Sequence, residues 1–305
     1  MIHARWFACI VTSLAAFACG SAAAETQVYQ YQGIERSAEL YQPVAPHPGP
    51  HPLVVALHGL DQNVASLRRW LPLESIADRE GFVVVSPVAI DGRWNYGRPV
   101  VKPMPAVGNE PVDDIGFIRL LIDDLIAKKI ADPQRVYVTG MSRGGMMAYT
   151  VACALADRVA AVAPLITPMT EYQREDCKPA RAIPMLVIAG TADPSQPFNG
   201  VKWPMGRLLS VPETMNFWRT LHGCTRPETT PLAHRQDSDP TRVIVVAWTD
   251  CKTAAALQLY RVRGGGHRLP SLDDTPEQPS KYGLRSRDFD TAETVWAFFK
   301  PLHLP

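Results

Sequence analysis

The pentapeptide Gly140-Met141-Ser142-Arg143-Gly144 stands between a predicted strand and a predicted helix. Residues 135–139 before it are rich in β-branched side chains, which is typical of a buried strand. Residues 145–152 after it have the composition of a helix start. A G-x-S-x-G motif in this context predicts a sharp, strained turn that lifts the serine hydroxyl above a sheet. Glycine is needed on both sides of the serine because a side chain there would collide with the neighbouring strand or helix.

Further apolar runs with the length of buried strands alternate with helical patterns along the chain. The predicted strands are 28–31, 34–40, 53–57, 82–87, 159–165, 184–190, 243–247 and 256–262, and the predicted helices include 65–79, 113–130 and 294–300. This alternation predicts a mostly parallel sheet with helices on both faces. Together with the serine turn it indicates an α/β-hydrolase fold, with residues 25–305 as one catalytic domain.

Two helix starts carry acidic residues that suit a helix N-terminus. Asp113 and Asp114 precede an apolar helical pattern, and we interpret both as N-terminal groups that favour the helix dipole. Asp290 and Glu293 have the spacing of a capping box before the last helix.

The first 24 residues have the pattern of a secretory signal peptide. Arg5 provides the positive charge, residues 6–18 the apolar core, and Ala22-Ala23-Ala24 the small residues of a cleavage site. We therefore expect a secreted or periplasmic protein, cleaved near Ala24. Without Arg5 the chain has 30 basic and 30 acidic residues, so charge gives no reason to expect nucleic acid or stable membrane association.

Cysteine usage also indicates export. Beyond Cys9 and Cys19 of the predicted signal peptide, four cysteines remain: Cys153, Cys177, Cys224 and Cys251. An even number in an exported chain favours two disulfides, for which three connectivities are possible. Proximity in the sequence favours Cys153–Cys177 and Cys224–Cys251. Cysteine and histidine do not occur at the spacing of a zinc site, so we expect no metal.

An acid and a histidine follow the serine in the order that an α/β-hydrolase triad requires. Asp193 comes directly after the predicted strand 184–190, and His267 follows three consecutive glycines. Asp157 and Asp250 are rival acids, although neither follows an apolar strand so directly. We predict Ser142, Asp193 and His267 as the catalytic residues.

The loop after strand 53–57, which begins at His58, is expected to provide part of an oxyanion hole. We assign one donor to the backbone N–H of Leu60, or of an immediate neighbour, and the other to the backbone N–H of Arg143. His58 precedes the serine, which excludes it as the base in this fold; a histidine that braces the loop is the favoured interpretation.

The long segment 91–111 contains polar and aromatic residues that could contact a substrate. Trp94 either lines a substrate cleft or caps the core, and the sequence does not separate these alternatives. His58, Trp94 and Asn95 are our substrate-binding candidates.

Several of these motifs occur together in one known group. The motifs are Leu57-His58-Gly59, Asp113-Asp114-Ile115-Gly116-Phe117, residues 138–149 around Ser142, Gly190-Thr191-Ala192-Asp193-Pro194 and Gly264-Gly265-Gly266-His267. As a set they resemble the secreted polyhydroxybutyrate depolymerase and feruloyl esterase group of serine esterases. The resemblance implies an α/β-hydrolase fold without a cofactor, places the group's triad on Ser142, Asp193 and His267, and is compatible with the two favoured disulfides.

The resemblance implies hydrolysis of small or oligomeric carboxylic esters, either hydroxybutyrate-type (hydroxyalkanoate) oligomers or feruloyl-type esters. A serine peptidase or amidase, or a non-catalytic binding protein of the same fold, is the alternative. Arg143 departs from the group, which usually has a small or amide residue there. Its guanidinium could attract a substrate carboxylate or pair with an acid on the rim of the site.

Overall fold

The computed structural model describes residues 24–44, 49–97, 106–107, 110–252, 256–273 and 280–305. The predicted signal peptide therefore lies outside the described residues except for Ala24, as does part of the long loop 91–111.

Fourteen strands and seven helices form the described part of the chain. The strands are β1 (Glu25–Tyr31), β2 (Ile34–Tyr41), β3 (His51–Leu57), β4 (Val83–Pro87), β5 (Ala106–Val107), β6 (Glu110–Pro111), β7 (Ala131–Met141), β8 (Ala161–Leu165), β9 (Met185–Gly190), β10 (Val201–Trp203), β11 (Gly206–Leu208), β12 (Glu228–Pro231), β13 (Arg242–Trp248) and β14 (Leu257–Arg263). The helices are α1 (Val64–Trp70), α2 (Leu73–Glu80), α3 (Asp114–Ala127), α4 (Arg143–Ala154), α5 (Glu171–Asp176), α6 (Val211–His222) and α7 (Thr291–Phe299).

Ten of these strands form one sheet in the order β1-β2-β4-β3-β7-β8-β9-β14-β13-β12. The six central strands, from β4 to β14, run parallel, and two antiparallel strands close each side. The prediction of a mostly parallel sheet is confirmed.

Helices cover both faces of the sheet, because the central strands bury side chains on both sides. In β7, Val136 and Val138 point into the core beneath α3, α4 and α6, whereas Tyr137 points into the core beneath α1, α2 and α7. This alternation is the two-residue period of a strand.

The predicted helix 65–79 is wrong in one respect, because the structure divides it into α1 and α2 at Leu71 and Pro72. Proline has no N–H to donate and disfavours helical backbone in the residue before it, so one continuous helix cannot pass through this point. The short elements α5, β10, β11 and β12 have no pattern that the sequence analysis recognised.

Both favoured disulfides are present. Cys153–Cys177 joins α4 to the end of α5, and Cys224–Cys251 joins the residue after the α6 cap to the loop that follows β13. Each bridge therefore fixes a helix that packs on the α3–α4–α6 face.

The parallel strands bring four loops to the same edge of the sheet. The loops after β3, β7, β9 and β14 begin at His58, Ser142, Thr191 and Gly264, and all four lie at the carboxyl ends of their strands. Ligands of open α/β sheets bind at this edge.

Candidate active site

Ser142 lies on a strained turn between β7 and α4. Its backbone has φ 55° and ψ −118°, a region that L-residues rarely adopt. A Cβ on Gly144 would lie 2.2 Å from the carbonyl oxygen of Leu57, and one on Gly140 would lie 2.5 Å from the backbone of Gly144. Neither position has room for a side chain, because Gly144 lies against the backbone of β3 and Gly140 lies against the backbone of α4.

His267 connects Ser142 to Asp193. Its Nε2 is 3.0 Å from the Ser142 Oγ, and its Nδ1 is 2.8 Å from Oδ2 of Asp193. An ionised carboxylate only accepts hydrogen bonds, so the proton belongs on Nδ1 and Nε2 is left to accept the serine O–H. This arrangement prepares Nε2 to take a proton from the serine.

The other carboxylate oxygen of Asp193 is fixed by the backbone. Its Oδ1 accepts hydrogen bonds from the N–H groups of Ser195 and Gln196, each at 2.8 Å. The side chain is almost completely buried. Asp193 is thus held in one orientation, with Oδ2 directed at the imidazole.

Backbone contacts hold the histidine loop against the acid loop. A Cβ on Gly190 would lie 2.3 Å from the carbonyl oxygen of Gly265, and the N–H of Ala192 donates to the same oxygen at 2.9 Å. The N–H of His267 donates to the carbonyl oxygen of Tyr282 at 2.7 Å. The close approach explains the glycine at position 190, since a side chain there would force the two loops apart.

The rival acids have other partners. Asp157 lies on the surface and accepts hydrogen bonds from Arg119 and Arg158. Asp250 accepts from the Thr225 hydroxyl and from backbone N–H groups, and the Thr225 hydrogen bond is the largest cause that lowers its pKa. Neither carboxylate is hydrogen-bonded to a histidine in the described residues.

The loop after β3 contributes to the site through its backbone. Within the described residues, the N–H of Gly59 donates to Gln62, that of Asp61 donates to Gly92, and that of Ser142 donates to Leu165. By contrast, the N–H groups of Leu60 and Arg143 have no hydrogen-bond acceptor in this part of the chain. Arg143 is the first residue of α4, where an N–H has no partner within the helix.

His58 braces this loop from below, as the favoured interpretation of the sequence had it. It is fully buried, its Nε2 accepts a hydrogen bond from the Ala89 N–H at 3.1 Å, and its Nδ1 lies 2.8 Å from the Gly59 carbonyl oxygen. Burial is the main cause that lowers the pKa of His58, so the ring stays neutral and keeps both contacts.

The three substrate-binding candidates need correction, because none of them lines the cavity at Ser142. Trp94 is fully buried, and its indole N–H donates to the His58 carbonyl oxygen at 2.8 Å. The Asn95 amide donates to the Val112 carbonyl oxygen at 2.6 Å, and its backbone N–H donates to Asp114. Trp94 belongs to the core, and all three candidates support the loops around the site.

A cavity of about 400 Å³ opens beside Ser142. It is lined by Leu60, Gln62, Trp70, Met141, Ser142, Arg143, Ser195, Gln196, Trp203, His267, Arg268, Leu269 and Tyr282. Most of the lining residues that the sequence analysis missed directly follow its motifs, such as Ser195 and Gln196 after Asp193. Trp70, Trp203 and Tyr282 come from distant segments, so no local signal could have identified them.

Within the described residues, no cluster of three or more histidine, cysteine or acidic side chains is arranged to hold a metal ion. The helices in that part of the chain are also too short or too polar to cross a membrane.

The sheet order and the strained serine turn match the α/β-hydrolase fold. A family model described as esterase PHB depolymerase matches residues 36–167. The acetyl xylan esterase from Aspergillus awamori superposes with a TM-score of 0.62 at 17% identity, covering 90% of this chain and 99% of that one. At this identity the likeness concerns the fold, and the predicted fold class is confirmed.

Two curated relatives extend the comparison. The putative esterase NocK of Nocardia uniformis subsp. tsuyamanensis is 29% identical over 267 residues, which is 82% of this chain and 74% of that protein. Feruloyl esterase B of Piromyces equi is 30% identical over 162 residues, which is 51% of this chain and only 29% of that protein. The predicted resemblance to polyhydroxybutyrate depolymerases and feruloyl esterases is confirmed, and the chain is a carboxylic ester hydrolase.

Proposed function

We propose that this chain is a secreted serine esterase that uses Ser142, His267 and Asp193 as a catalytic triad and acts on hydroxyalkanoate-oligomer or feruloyl-type esters. The single observation that carries the proposal is the continuous hydrogen-bond chain from the Ser142 Oγ through His267 to Asp193, with distances of 3.0 and 2.8 Å. Ser142, at one end of this series of hydrogen bonds, lines a cavity that is large enough for a small ester.

In this mechanism the Ser142 Oγ attacks the carbonyl carbon of the ester while His267 Nε2 takes the hydroxyl proton. The carbonyl oxygen gains the electron pair and becomes an oxyanion. His267 then returns the proton to the leaving alcohol, and an acyl-enzyme on Ser142 remains. Water then attacks the acyl carbon while His267 takes a proton from it. His267 returns that proton to the Ser142 Oγ, and the carboxylic acid product is released. Asp193 holds the imidazole tautomer and stabilises the imidazolium throughout.

The backbone N–H groups of Leu60 and Arg143, which have no acceptor among the described residues, are our proposed oxyanion donors. Both belong to residues that line the cavity at Ser142. A donor without a protein acceptor is free to bind the developing oxyanion, and each such donor contributes about 3–4 kcal/mol to the transition state. Since both donors are main-chain groups, side-chain substitutions at these positions leave them in place.

The substrate range is supported by the relatives, which include an esterase described as acting on feruloyl groups and a family model named for polyhydroxybutyrate depolymerases. An assay of purified protein with p-nitrophenyl esters, methyl ferulate, hydroxybutyrate oligomers and a peptide amide distinguishes the proposed substrates. Hydrolysis of esters but not of the amide supports the esterase. Preference for the amide would favour the peptidase alternative, and no turnover of any compound would favour a binding protein.

The nucleophile can be identified independently of the substrate. A serine-directed phosphonate should label Ser142, and the label should be absent from Ser142→Ala and from protein treated with the phosphonate after heat unfolding. Labelling of a different serine in the folded protein would contradict the assignment.

Export completes the proposal, with residues 1–24 removed and residues 25–305 forming a single catalytic domain. The two disulfides support export, because they form in oxidising compartments. The N-terminal sequence of the protein recovered from periplasm or medium should begin at or near Glu25. Four free thiols in that protein would contradict the export argument.

A further inference from the structure

Arg143 carries a charge that no described part of the protein neutralises. The residue is only 4% exposed. Among the described residues no carboxylate lies within 4.0 Å of its guanidinium, and none accepts a hydrogen bond from it. In the described part of the chain, the guanidinium carbon lies 5.6 Å from the centroid of the Tyr96 ring. Buried arginines are normally paired, because an isolated charge is costly to remove from water.

The rest of the cavity does not supply the missing anion. Among the described residues, its lining contains a second arginine, Arg268, and no aspartate or glutamate. Asp193 lies behind His267 and uses both oxygens for the imidazole and for two backbone N–H groups. The alternative that Arg143 pairs with an acid on the rim therefore finds no support in the described residues.

Helix α4 increases the positive potential at this point. Arg143 is its first residue, no acid lies in its first turn, and the N-cap side chain of Ser142 makes no capping hydrogen bond. A helix N-terminus carries a partial positive charge, so a cation placed there is unfavourable unless an anion joins it. The cavity is thus lined, beside Ser142, by an arginine at a helix N-terminus that is unpaired among the described residues.

We propose that the Arg143 guanidinium binds a carboxylate of the substrate, so that the preferred esters carry a free carboxylate close to the ester bond. This inference rests on the proposed esterase function and narrows its substrate class. A linear ester of two hydroxy acids ends in a carboxylate on its alcohol half, whereas a feruloyl ester of a neutral sugar has none. Hydrolysis adds one water to such an ester and releases a hydroxy acid from each half. The inference therefore favours short hydroxyalkanoate esters over feruloyl esters.

Two pairs of esters test the inference, each pair differing only in whether the carboxylate is free or methylated. In the first pair the carboxylate is on the acyl half: mono-p-nitrophenyl glutarate and its methyl ester. In the second it is on the alcohol half: 3-acetoxybutyrate and its methyl ester. The measured quantity is the ratio of kcat/KM for the free carboxylate to kcat/KM for the methylated ester. We expect a ratio of about 10 or more in one pair, since a charge-assisted hydrogen bond is strong enough to give a tenfold preference.

Arg143→Gln should lower that ratio about tenfold, and Arg143→Lys should retain part of it, because lysine keeps the charge without the planar fork. Arg119→Gln is the matched control, since it removes one positive charge from an exposed surface pair with Asp157. That control should leave the ratio unchanged. An equal loss on free and methylated esters in Arg143→Gln would show that the guanidinium acts on the oxyanion or on packing and would overturn the inference. A wild-type preference for both methylated esters would overturn it as well.

A binding measurement can test the carboxylate site independently of the proposed esterase activity. Calorimetric titration of Ser142→Ala with glutarate monoamide and with 3-acetoxybutyrate measures carboxylate binding without turnover. Saturable binding that weakens about tenfold in Ser142→Ala/Arg143→Gln supports the carboxylate site, even if the wild-type protein hydrolyses none of the four esters. Absence of binding together with unselective ester hydrolysis would leave the esterase intact and refute the carboxylate site.

Discussion

The assignment of the acid depends on single hydrogen bonds. Asp193 is hydrogen-bonded to His267, whereas Asp250 lies on the surface and is hydrogen-bonded to Thr225. We expect Asp193→Asn to keep the fold and to lower kcat about 10⁴-fold, because an asparagine favours the wrong imidazole tautomer. Steady-state kinetics and circular dichroism of the purified variant test this expectation.

Asp250→Asn is the matched control. It also replaces a carboxylate by an amide, but at a surface residue that is not hydrogen-bonded to His267, so kcat should change little. A nearly fully active Asp193→Asn would move the acid to another residue and would contradict the triad. Ser142→Ala and His267→Ala should each lose as much activity as the double variant, because residues of a triad act as a unit.

The sequence allowed candidate residues within the motifs to be selected, but it did not show which side chains outside them line the cavity. Ser142, Asp193 and His267 could be selected because each follows a strand and their order is restricted by the fold. The position of Trp94 could not be decided, because an aromatic residue in a long loop has the same local pattern whether its indole N–H binds a backbone carbonyl or faces a ligand.

At the scale of elements, strand β2 and helix α3 are joined by a buried ion pair. Arg36 donates to Asp114 at 2.6 Å, and both side chains are almost completely inaccessible to solvent. The guanidinium also lies 4.2 Å from the ring centre of Phe117. Burial is the main cause that raises the pKa of Asp114, while Arg36 opposes that rise. Asp114 is thus more than the helix-terminal charge that the sequence indicated.

Arg36→Met should lower the free energy of unfolding by about 3–5 kcal/mol at pH 7, because it leaves the Asp114 charge buried without a partner. A carboxyl group whose pKa is higher in the folded than in the unfolded chain stabilises the folded state when the pH is below its unfolded-state pKa. This stabilisation is lost as the pH rises. The loss of unfolding free energy in Arg36→Met should therefore be smaller at acidic pH than at pH 7. Urea unfolding of the variant and the wild-type protein at an acidic pH and at pH 7 measures this difference.

Arg36→Met/Asp114→Asn is the control for that variant. It removes the unpaired charge and should be more stable than Arg36→Met at pH 7. A double variant less stable than the single one would show that the pair is not coupled as described.

At the start of the last helix, only one of the two side chains of the predicted capping box makes its capping contact. Asp290 caps α7 by accepting from the Glu293 N–H at 3.1 Å, as the capping-box spacing predicts. The Glu293 side chain, however, forms two hydrogen bonds with Arg79 of α2. The partner residue is more than two hundred positions away in the sequence, so only the tertiary structure could show that it competes with the capping box.

At the scale of the whole molecule, one disulfide joins α4 to the end of α5, and the other joins the end of α6 to the loop after β13. Each closes a loop of similar length, with sequence separations of 24 and 27 residues. Removing either pair by alanine substitution should lower the free energy of unfolding by about 3 kcal/mol, mainly through the entropy of the unfolded chain. Denaturant unfolding of both double variants measures the loss. Dithiothreitol should destabilise the wild-type protein and should have no further effect on a variant that lacks both pairs.

A buried histidine should make the molecule sensitive to acid. His222 at the end of α6 is fully buried beside Trp218, and burial lowers its pKa to about 4. Between pH 6.5 and 4 the unfolded chain binds a proton at this position that the folded chain does not. The free energy of unfolding should therefore fall by about 3 kcal/mol as pH decreases through this range.

His222→Leu should flatten that dependence, and unfolding free energies at a series of pH values test it. His303→Gln is the control, because His303 lies on the surface. An unchanged pH slope in His222→Leu would contradict the assignment of the acid sensitivity to His222.

The overall architecture could be predicted because buried parallel strands have a strong and continuous apolar pattern. The order of the sheet could not, since it depends on which strands meet after the crossovers. For the same reason the cavity wall, where Trp70, Trp203 and Tyr282 meet, lies beyond a local interpretation of the sequence.

The way in which the histidine loop is anchored has a consequence for adaptation. Position 282 holds His267 through its backbone carbonyl, while its side chain lines the cavity and is 43% exposed. The anchoring contact therefore does not depend on which side chain stands there. We expect a new residue at this position to alter which esters fit without displacing His267, the proposed base. Substrate preference should then be separable from catalytic competence, which makes position 282 a suitable starting point for directed evolution towards other esters.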